Sequence, residues 1–381
     1  METSPSHVQT SLAGAMALGF VGGSFFRGAV PHCLNLLLAY EGGCRANCAF
    51  CGLAKTRAAS IVGDRKSFIR VDWPVVSLAE VIGALEMPRA LNIKRVCVSM
   101  VTHPRARKDT IEIVERLREA GRDLSVLVTP TIINEHFLQE LADLGVDKIG
   151  IALDAATPEL FDRWRGRGVA GPHRWDRYWN AIETGIRVFG GDRTGVHLIC
   201  GLGESERELT AIMQQVHNAG PDTHLFSFFP EAGSAMASHP QPAIGTYRRI
   251  QLARELIFLG LSSADRFEFN DAGQITSFGV PASTMDEVID AGVAFMTQGC
   301  RDASGFITCN RPYSNNTPFQ AAKGECRNFP FPPTSADIAT IRGQLANYTD
   351  AWVRPLEIAE DFLLDEVATD ATISPDHDVA G

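Results

Sequence analysis

No apolar run in the 381-residue chain approaches the ~18–20 residues that a helix needs to cross a bilayer, so no membrane-spanning helix is expected. The small apolar stretch Ser11–Phe20 is preceded by Glu2 and by no Lys or Arg, and so lacks the basic flank of a secretory signal. It reads as a helix or extended arm packed on the domain of a cytoplasmic protein. Positive charge is also scarce. There are 35 Lys and Arg against 45 Asp and Glu, a formal net charge of −10. That balance argues against a nucleic-acid backbone as partner, because phosphates favour a basic face. Low-complexity segments and short-period repeats are absent as well.

Cysteine is present in quantity, at positions 33, 44, 48, 51, 97, 200, 300, 309 and 326. An odd, unevenly spaced set in a long chain does not make a disulfide framework, which belongs to short secreted domains. The groups 44/48/51 and 300/309/326 read as ligands. Cys33, Cys97 and Cys200 sit in apolar sequence and read as small buried hydrophobes.

From residue 34 the pattern alternates short apolar runs with amphipathic stretches. Strands are expected at Leu34–Tyr40, Arg95–Val101, Leu124–Thr129, Lys148–Leu153, Val196–Cys200 and His224–Phe229. Helices are expected at Leu78–Leu85 capped by Ser77, Asp109–Ala120 ending at Gly121, and from Asn134 to Leu144. Further helices are expected at Trp175–Phe189, Glu206–Ala219 and Thr246–Leu259. Continuously apolar strands alternating with helices imply an α/β fold with a parallel sheet covered on its outer side. A full or partial βα barrel follows, with its chemistry at the C-terminal strand ends. The organisation reads as an arm over 1–33, a barrel over 34–295, an irregular cysteine-bearing segment over 296–334 and a C-terminal region over 335–381. That last region holds a helix from Ser335 to about Glu360, kinked near Pro355, and a disordered acidic tail after Ala368.

Cys44, Cys48 and Cys51 follow the first strand directly, in Glu41-Gly-Gly-Cys-Arg-Ala-Asn-Cys-Ala-Phe-Cys51. Soft thiolates take iron–sulfur clusters or zinc. Three thiolates leave one iron of a [4Fe–4S] cluster without a protein ligand, whereas zinc needs a fourth Cys or His, and His32 is expected at the far end of the strand. Gly42 and Gly43 allow a tight turn, and Phe50 supplies an apolar shield.

Cys-x3-Cys-x2-Cys after strand one, with an aromatic before the last Cys, resembles the radical S-adenosylmethionine (SAM) superfamily, over about residues 34–295. The resemblance implies a [4Fe–4S] cluster, SAM chelated on its open iron, and a 5′-deoxyadenosyl radical. Leu153–Phe161 is similar to the fourth-strand segment of the biotin synthase, hydrogenase maturase and methylornithine synthase branch. There Asp154 corresponds to a SAM-contacting residue, and Arg177 to the Arg that pairs with the SAM carboxylate. His197-Leu-Ile-Cys-Gly201-Leu-Gly-Glu204 resembles that branch's fifth-strand element beside the adenine, which implicates Ile199, Gly201 and Glu204. His197 departs from the Gly usual there. The second strand lacks the usual Gly-Gly-Glu, so Ser99, Met100 or Thr102 has to substitute. Asp154 as a helix cap and Arg177 as a solvated helix residue remain open readings.

Cys300, Cys309 and Cys326 suit a second, auxiliary [4Fe–4S] cluster; a zinc knot or free thiols are the alternatives. Cys309-Asn-Arg-Pro-Tyr313 and the later Asn-Phe-Pro resemble the C-terminal segment of two-component lipoyl synthases. That likeness implies a sulfur-donating cluster, a substrate side lined by Asn310, Arg311 and Tyr313, and a second radical SAM subunit. The expected substrate is a small molecule or an acyl chain on a carrier, and the expected reductant is a ferredoxin or flavodoxin. The other readings are radical rearrangement, dehydrogenation or C–C bond formation with the second cluster as relay or anchor, and a non-enzymatic metal scaffold.

Overall fold

The computed structural model describes residues 2–57, 67–68, 71–311, 320–321 and 323–349. Tyr313, the expected kink near Pro355 and the acidic tail lie outside the described residues. One sheet has eight strands: β1 (His7–Thr10), β2 (Cys33–Leu38), β3 (Val75–Ser77), β4 (Arg95–Ser99), β5 (Asp123–Val128), β6 (Lys148–Asp154), β7 (Thr194–Cys200) and β8 (Asp222–Ser227). Their order is β8-β7-β6-β5-β4-β2-β1-β3. The six expected strands are all present and run parallel. β1 was not anticipated, because four residues are too short to show a period. It pairs antiparallel with β2 and β3 and so covers the edge that the parallel strands leave.

The helices are α1 (Leu12–Leu18), α2 (Leu78–Leu85), α3 (Ala106–Leu117), α4 (Glu135–Asp143), α5 (Pro158–Trp164), α6 (Trp175–Phe189), α7 (Glu206–Ala219), α8 (Ile244–Phe258), α9 (Ala282–Ala291) and α10 (Ser335–Leu345), among the described residues. Local chemistry sets their ends. Ser77 and Ser205 open α2 and α7 with reciprocal bonds to Glu80 and Glu208, and Asn134 accepts the Phe137 N–H at the start of α4. Among the described residues no helix is long and apolar enough to cross a membrane.

Side chains alternate along each strand. Leu34, Leu36, Val96, Val126, Ile149, Ile151, Val196 and Leu198 are buried in one apolar core with helix residues such as Val81, Ile113 and Ile182. The other face carries Asn35, Cys97, Ser99, Ser125, His197 and His224, which line a cavity. Asn35 of β2 and His224 of β8 lie on well-separated strands and line the same cavity, so the parallel strands curl around it. Glycines make room there. A Cβ on Gly195 would lie 2.7 Å from the His224 ring, and one on Gly150 would lie 3.2 Å from that of His197.

Candidate active site

The loop after β2 carries Cys44, Cys48 and Cys51 at one end of the cavity. Gly42 and Gly43 have φ of 81° and 66°, in the left-handed region that favours glycine, and they turn the chain as the sequence implied. Backbone bonds then fix the loop. Arg45 N–H donates to the Thr102 carbonyl beyond β4 at 2.8 Å, and Ala49 N–H to the Trp164 carbonyl at 2.8 Å. Ala46 N–H points at Cys44 Sγ and Leu53 N–H at Cys51 Sγ, each at 3.4 Å, an arrangement that favours anionic sulfur. Burial pushes the Cys48 thiol up and the Cys51 thiol well up. This donor set, with Phe50 beside it, fits an iron–sulfur cluster whose ligands sit on separate irons. Among the described residues no three His, Cys, Asp or Glu side chains are arranged to hold a single metal ion.

The cavity measures about 270 Å³. Ser99, Met100, Thr102, Asp154 and Ile199 line it together with the cysteine loop. Asp154 ends β6 at a register shift with a φ of 65°, which turns its carboxylate to the Arg165 guanidinium 3.0 Å away. Burial pushes the Asp154 carboxyl up, and Arg165 pulls it back. Arg165 was not singled out from the sequence, since it lies in an aperiodic turn after α5. Its signal is the run of glycines around it. A Cβ on Gly171 would fall 2.1 Å from the Arg165 carbonyl oxygen, so the loop wraps that residue closely. Arg165 also donates to the Ala152 carbonyl, to the Leu153 carbonyl at 3.1 Å and to Tyr178 Oη at 3.1 Å, and its charge acts on the Cys48 thiol. Burial works against its charge, but Tyr178, Asp154 and Cys48 hold the guanidinium protonated. Its Nε is buried and has no hydrogen-bond partner among the described residues.

Three expected SAM contacts are not in this wall. Arg177 lies on the exposed side of α6, donates to the Thr131 carbonyl at 3.0 Å and faces a separate shallow groove beside Pro130 and Asn134. The buried stripe of α6 runs through Tyr178, Ala181 and Ile182, which turns position 177 outward. Gly201 and Glu204 shape the turn after β7 and do not line the cavity. The Glu204 carboxylate accepts the Gly201 and Leu202 N–H groups at 2.5 and 2.9 Å, and burial pushes its pKa up to about 7. Gly201 has a φ of 108°, and a Cβ there would come 2.7 Å from the Pro242 ring.

At the N-terminal ends of the strands Cys97, Cys300, Cys309 and Arg311 line the same cavity. Cys326 is elsewhere. Its thiol donates to the Asn328 carbonyl at 3.2 Å, and the charges around it are those of Arg248, Asp337 and Arg27. The thiol nearest Cys309 in its electrostatics is instead that of Cys33. Cys33 and Cys97 stand near Cys309, whereas Cys200 is buried near Glu204 and Glu206. Asn310 does not face the cavity either. It accepts His32 N–H at 2.8 Å and donates to the Val30 and Pro330 carbonyls at 2.8 and 3.1 Å, stapling the arm to the irregular segment. Burial lowers His197 to about 3, which leaves a neutral ring on the cavity wall.

Residues 41–216 match the Radical SAM superfamily, and the chain carries a domain of that class over this stretch. It is 24% identical over 274 residues to biotin synthase of Burkholderia cenocepacia, covering 66% of this chain and 71% of that one. It is 26% identical over 132 residues to a probable GTP 3′,8-cyclase of Methanothermobacter thermautotrophicus, covering 34% and 37%. The chain spans about half or less of several curated relatives it matches. A crystal structure of methylornithine synthase overlaps with a TM-score of 0.44 and 14% identity, over 65% of this chain and 66% of that one.

Proposed function

We propose that the chain is a radical SAM enzyme that breaks an unactivated C–H bond of a small-molecule or acyl-carrier-linked substrate and inserts sulfur at that carbon. A second iron–sulfur cluster is the sulfur source in this reading. The observation that carries it is that two cysteine sets face one cavity from opposite ends, Cys44, Cys48 and Cys51 at one and Cys97, Cys300 and Cys309 at the other. Likeness to biotin synthases over two thirds of the chain supports it. When bound, the first cluster and SAM supply a 5′-deoxyadenosyl radical, with a ferredoxin or flavodoxin as electron source. The chain's own residues bind and orient. Ser99 and Thr102 present hydroxyls at the end of β4, and the Arg165 guanidinium is shaped to pair with a carboxylate such as that of SAM. Leu37, Leu127, Ile199 and Phe226 form an apolar wall that excludes water from reactive species. A second subunit of the same class completes the site in this reading.

The test is anaerobic turnover of protein reconstituted with ³⁴S-sulfide, using free and carrier-linked acyl chains. The expected product carries ³⁴S. Likeness to probable GTP 3′,8-cyclases favours a second reading, radical C–C bond formation on a small molecule. A sulfur-free product with both clusters intact after turnover selects that one.

A further inference from the structure

We propose that Cys33, Cys97, Cys300 and Cys309 together ligate the second iron–sulfur cluster, at the closed end of the cavity, and that Cys326 is not a ligand. The assignment rests on the sulfur-insertion reading only for what the cluster is used for.

The fold brings these four thiols to one place from three separate stretches. Cys33 opens β2 and Cys97 lies in β4, where it pairs with Asn35 two residues further along β2, so both thiols project from the cavity face near the N-terminal ends of adjacent strands. The third stretch supplies two. Thr308 and Cys309 N–H both donate to the Cys300 carbonyl, at 2.9 and 3.2 Å, which folds the segment so that Cys300 and Cys309 stand side by side. Gly299 lies so close that a Cβ there would be 2.9 Å from Cys309 Sγ. Two further contacts hold this segment against the strands. Buried Arg95 donates to Thr308 Oγ1 at 2.9 Å, and Asn310 ties residues 30–32 beside it. The Cys33 thiol meets Cys309 as a result.

Three features distinguish this group from buried thiols that merely fill space. The buried Arg311 guanidinium flanks it near Cys309, Cys33 and Cys97, and Arg95, itself paired with Asp123 and Asp147, lies near Cys300. Four thiolates on an iron–sulfur cube leave a net negative charge, and burying it requires such counter-charge. Asn35 lines the cavity with its amide nitrogen 3.7 Å from Cys33 Sγ, while its buried Oδ1 has no partner among the described residues. Finally, the cavity reaches Cys97, Cys300 and Cys309 directly, so a cluster there looks onto the space that a substrate enters from the SAM side.

The experiment uses the full chain with Cys44, Cys48 and Cys51 all changed to alanine, reconstituted anaerobically with iron and sulfide. About four irons per chain are expected to remain. Adding Cys33→Ala, Cys97→Ala, Cys300→Ala or Cys309→Ala is expected to cut that content at least threefold, while Cys326→Ala and Cys200→Ala leave it unchanged. Folding is followed by circular dichroism. Where an alanine variant does not fold, the serine variant is read instead by electron paramagnetic resonance of the reduced cluster, whose g-values shift when one thiolate is replaced. Loss of iron in Cys326→Ala with retention in Cys33→Ala and Cys97→Ala overturns the assignment. So does a Cys33–Cys309 disulfide in protein that takes up no iron. Four irons bound by this set in protein that inserts no sulfur supports the ligands and fails the functional reading alone.

Discussion

Arg165 and Asp154 meet at 3.0 Å in the cavity wall, and the same guanidinium reaches the Cys48 thiol of the cluster loop. One side chain thus joins the end of β6 to the loop that holds the iron ligands. Arg165→Lys keeps the charge but loses the planar fork that lines the cavity, so SAM affinity is expected to fall roughly tenfold, about 1.4 kcal/mol, with iron content unchanged. Arg177→Ala is expected to leave affinity as it was, because that residue faces the outer groove. Equilibrium titration of reconstituted protein with SAM measures both. Equal effects of the two changes contradict the placement.

The loop cysteines give a sharper outcome. Cys48→Ala removes one of three ligands, and the protein is expected to retain roughly half of about eight irons per chain. Release of 5′-deoxyadenosine after reduction with dithionite is expected to vanish. Iron analysis and chromatography of the nucleoside read these separately, and continued SAM cleavage in the variant refutes the role of this loop.

Much of this was legible in the sequence where a single local rule decides. The α2 and α6 boundaries and the Ser77 cap follow from period and capping chemistry, and the Cys44, Cys48 and Cys51 loop is one contiguous motif. Sites assembled from distant segments were not legible. Cys33 looks like an apolar strand residue until the sheet register sets Asn35, two residues on, against Cys97 and the segment around Cys309 packs beside it. Sequence proximity put Cys326 with Cys300 and Cys309, but its backbone follows a different path, along the bridge between Met296 and Phe329. The placement of Arg165 in the cavity wall and of Arg177 on the outer groove was not legible, because a position within a motif does not reveal which way a helix face turns.

The cavity wall predicts a steric coupling. A methyl on Gly195 would meet the His224 ring at 2.7 Å, in a strand with no slack to move. Gly195→Ala is expected to cost about 1–3 kcal/mol of unfolding free energy. Combined with His224→Ala it is expected to cost less than the two single changes together, by roughly 0.5–3 kcal/mol. Denaturant titration of the four-member cycle checks this. Strict additivity means that the ring does not stand against Gly195.

Glu204 predicts a pH dependence with a definite sign. Burial raises its carboxyl from an ordinary value of 4.5 to about 7, even though the Gly201 and Leu202 N–H groups favour the carboxylate. Between those two values the folded chain holds a proton that the unfolded chain has released, so stability falls as pH rises. The contribution is fully present below about 4.5 and is lost once pH passes about 7. Its size is on the order of 2–4 kcal/mol. Glu204→Gln cannot titrate, so the unfolding free energy of the unchanged protein, taken relative to that variant, is expected to decline by this amount from pH 4.5 to 8. Urea titrations at half-unit intervals measure the difference directly. If the two proteins run parallel across that range, the Glu204 carboxylate is ionised at no cost in the fold, and the turn after β7 is more open to water than its burial implies.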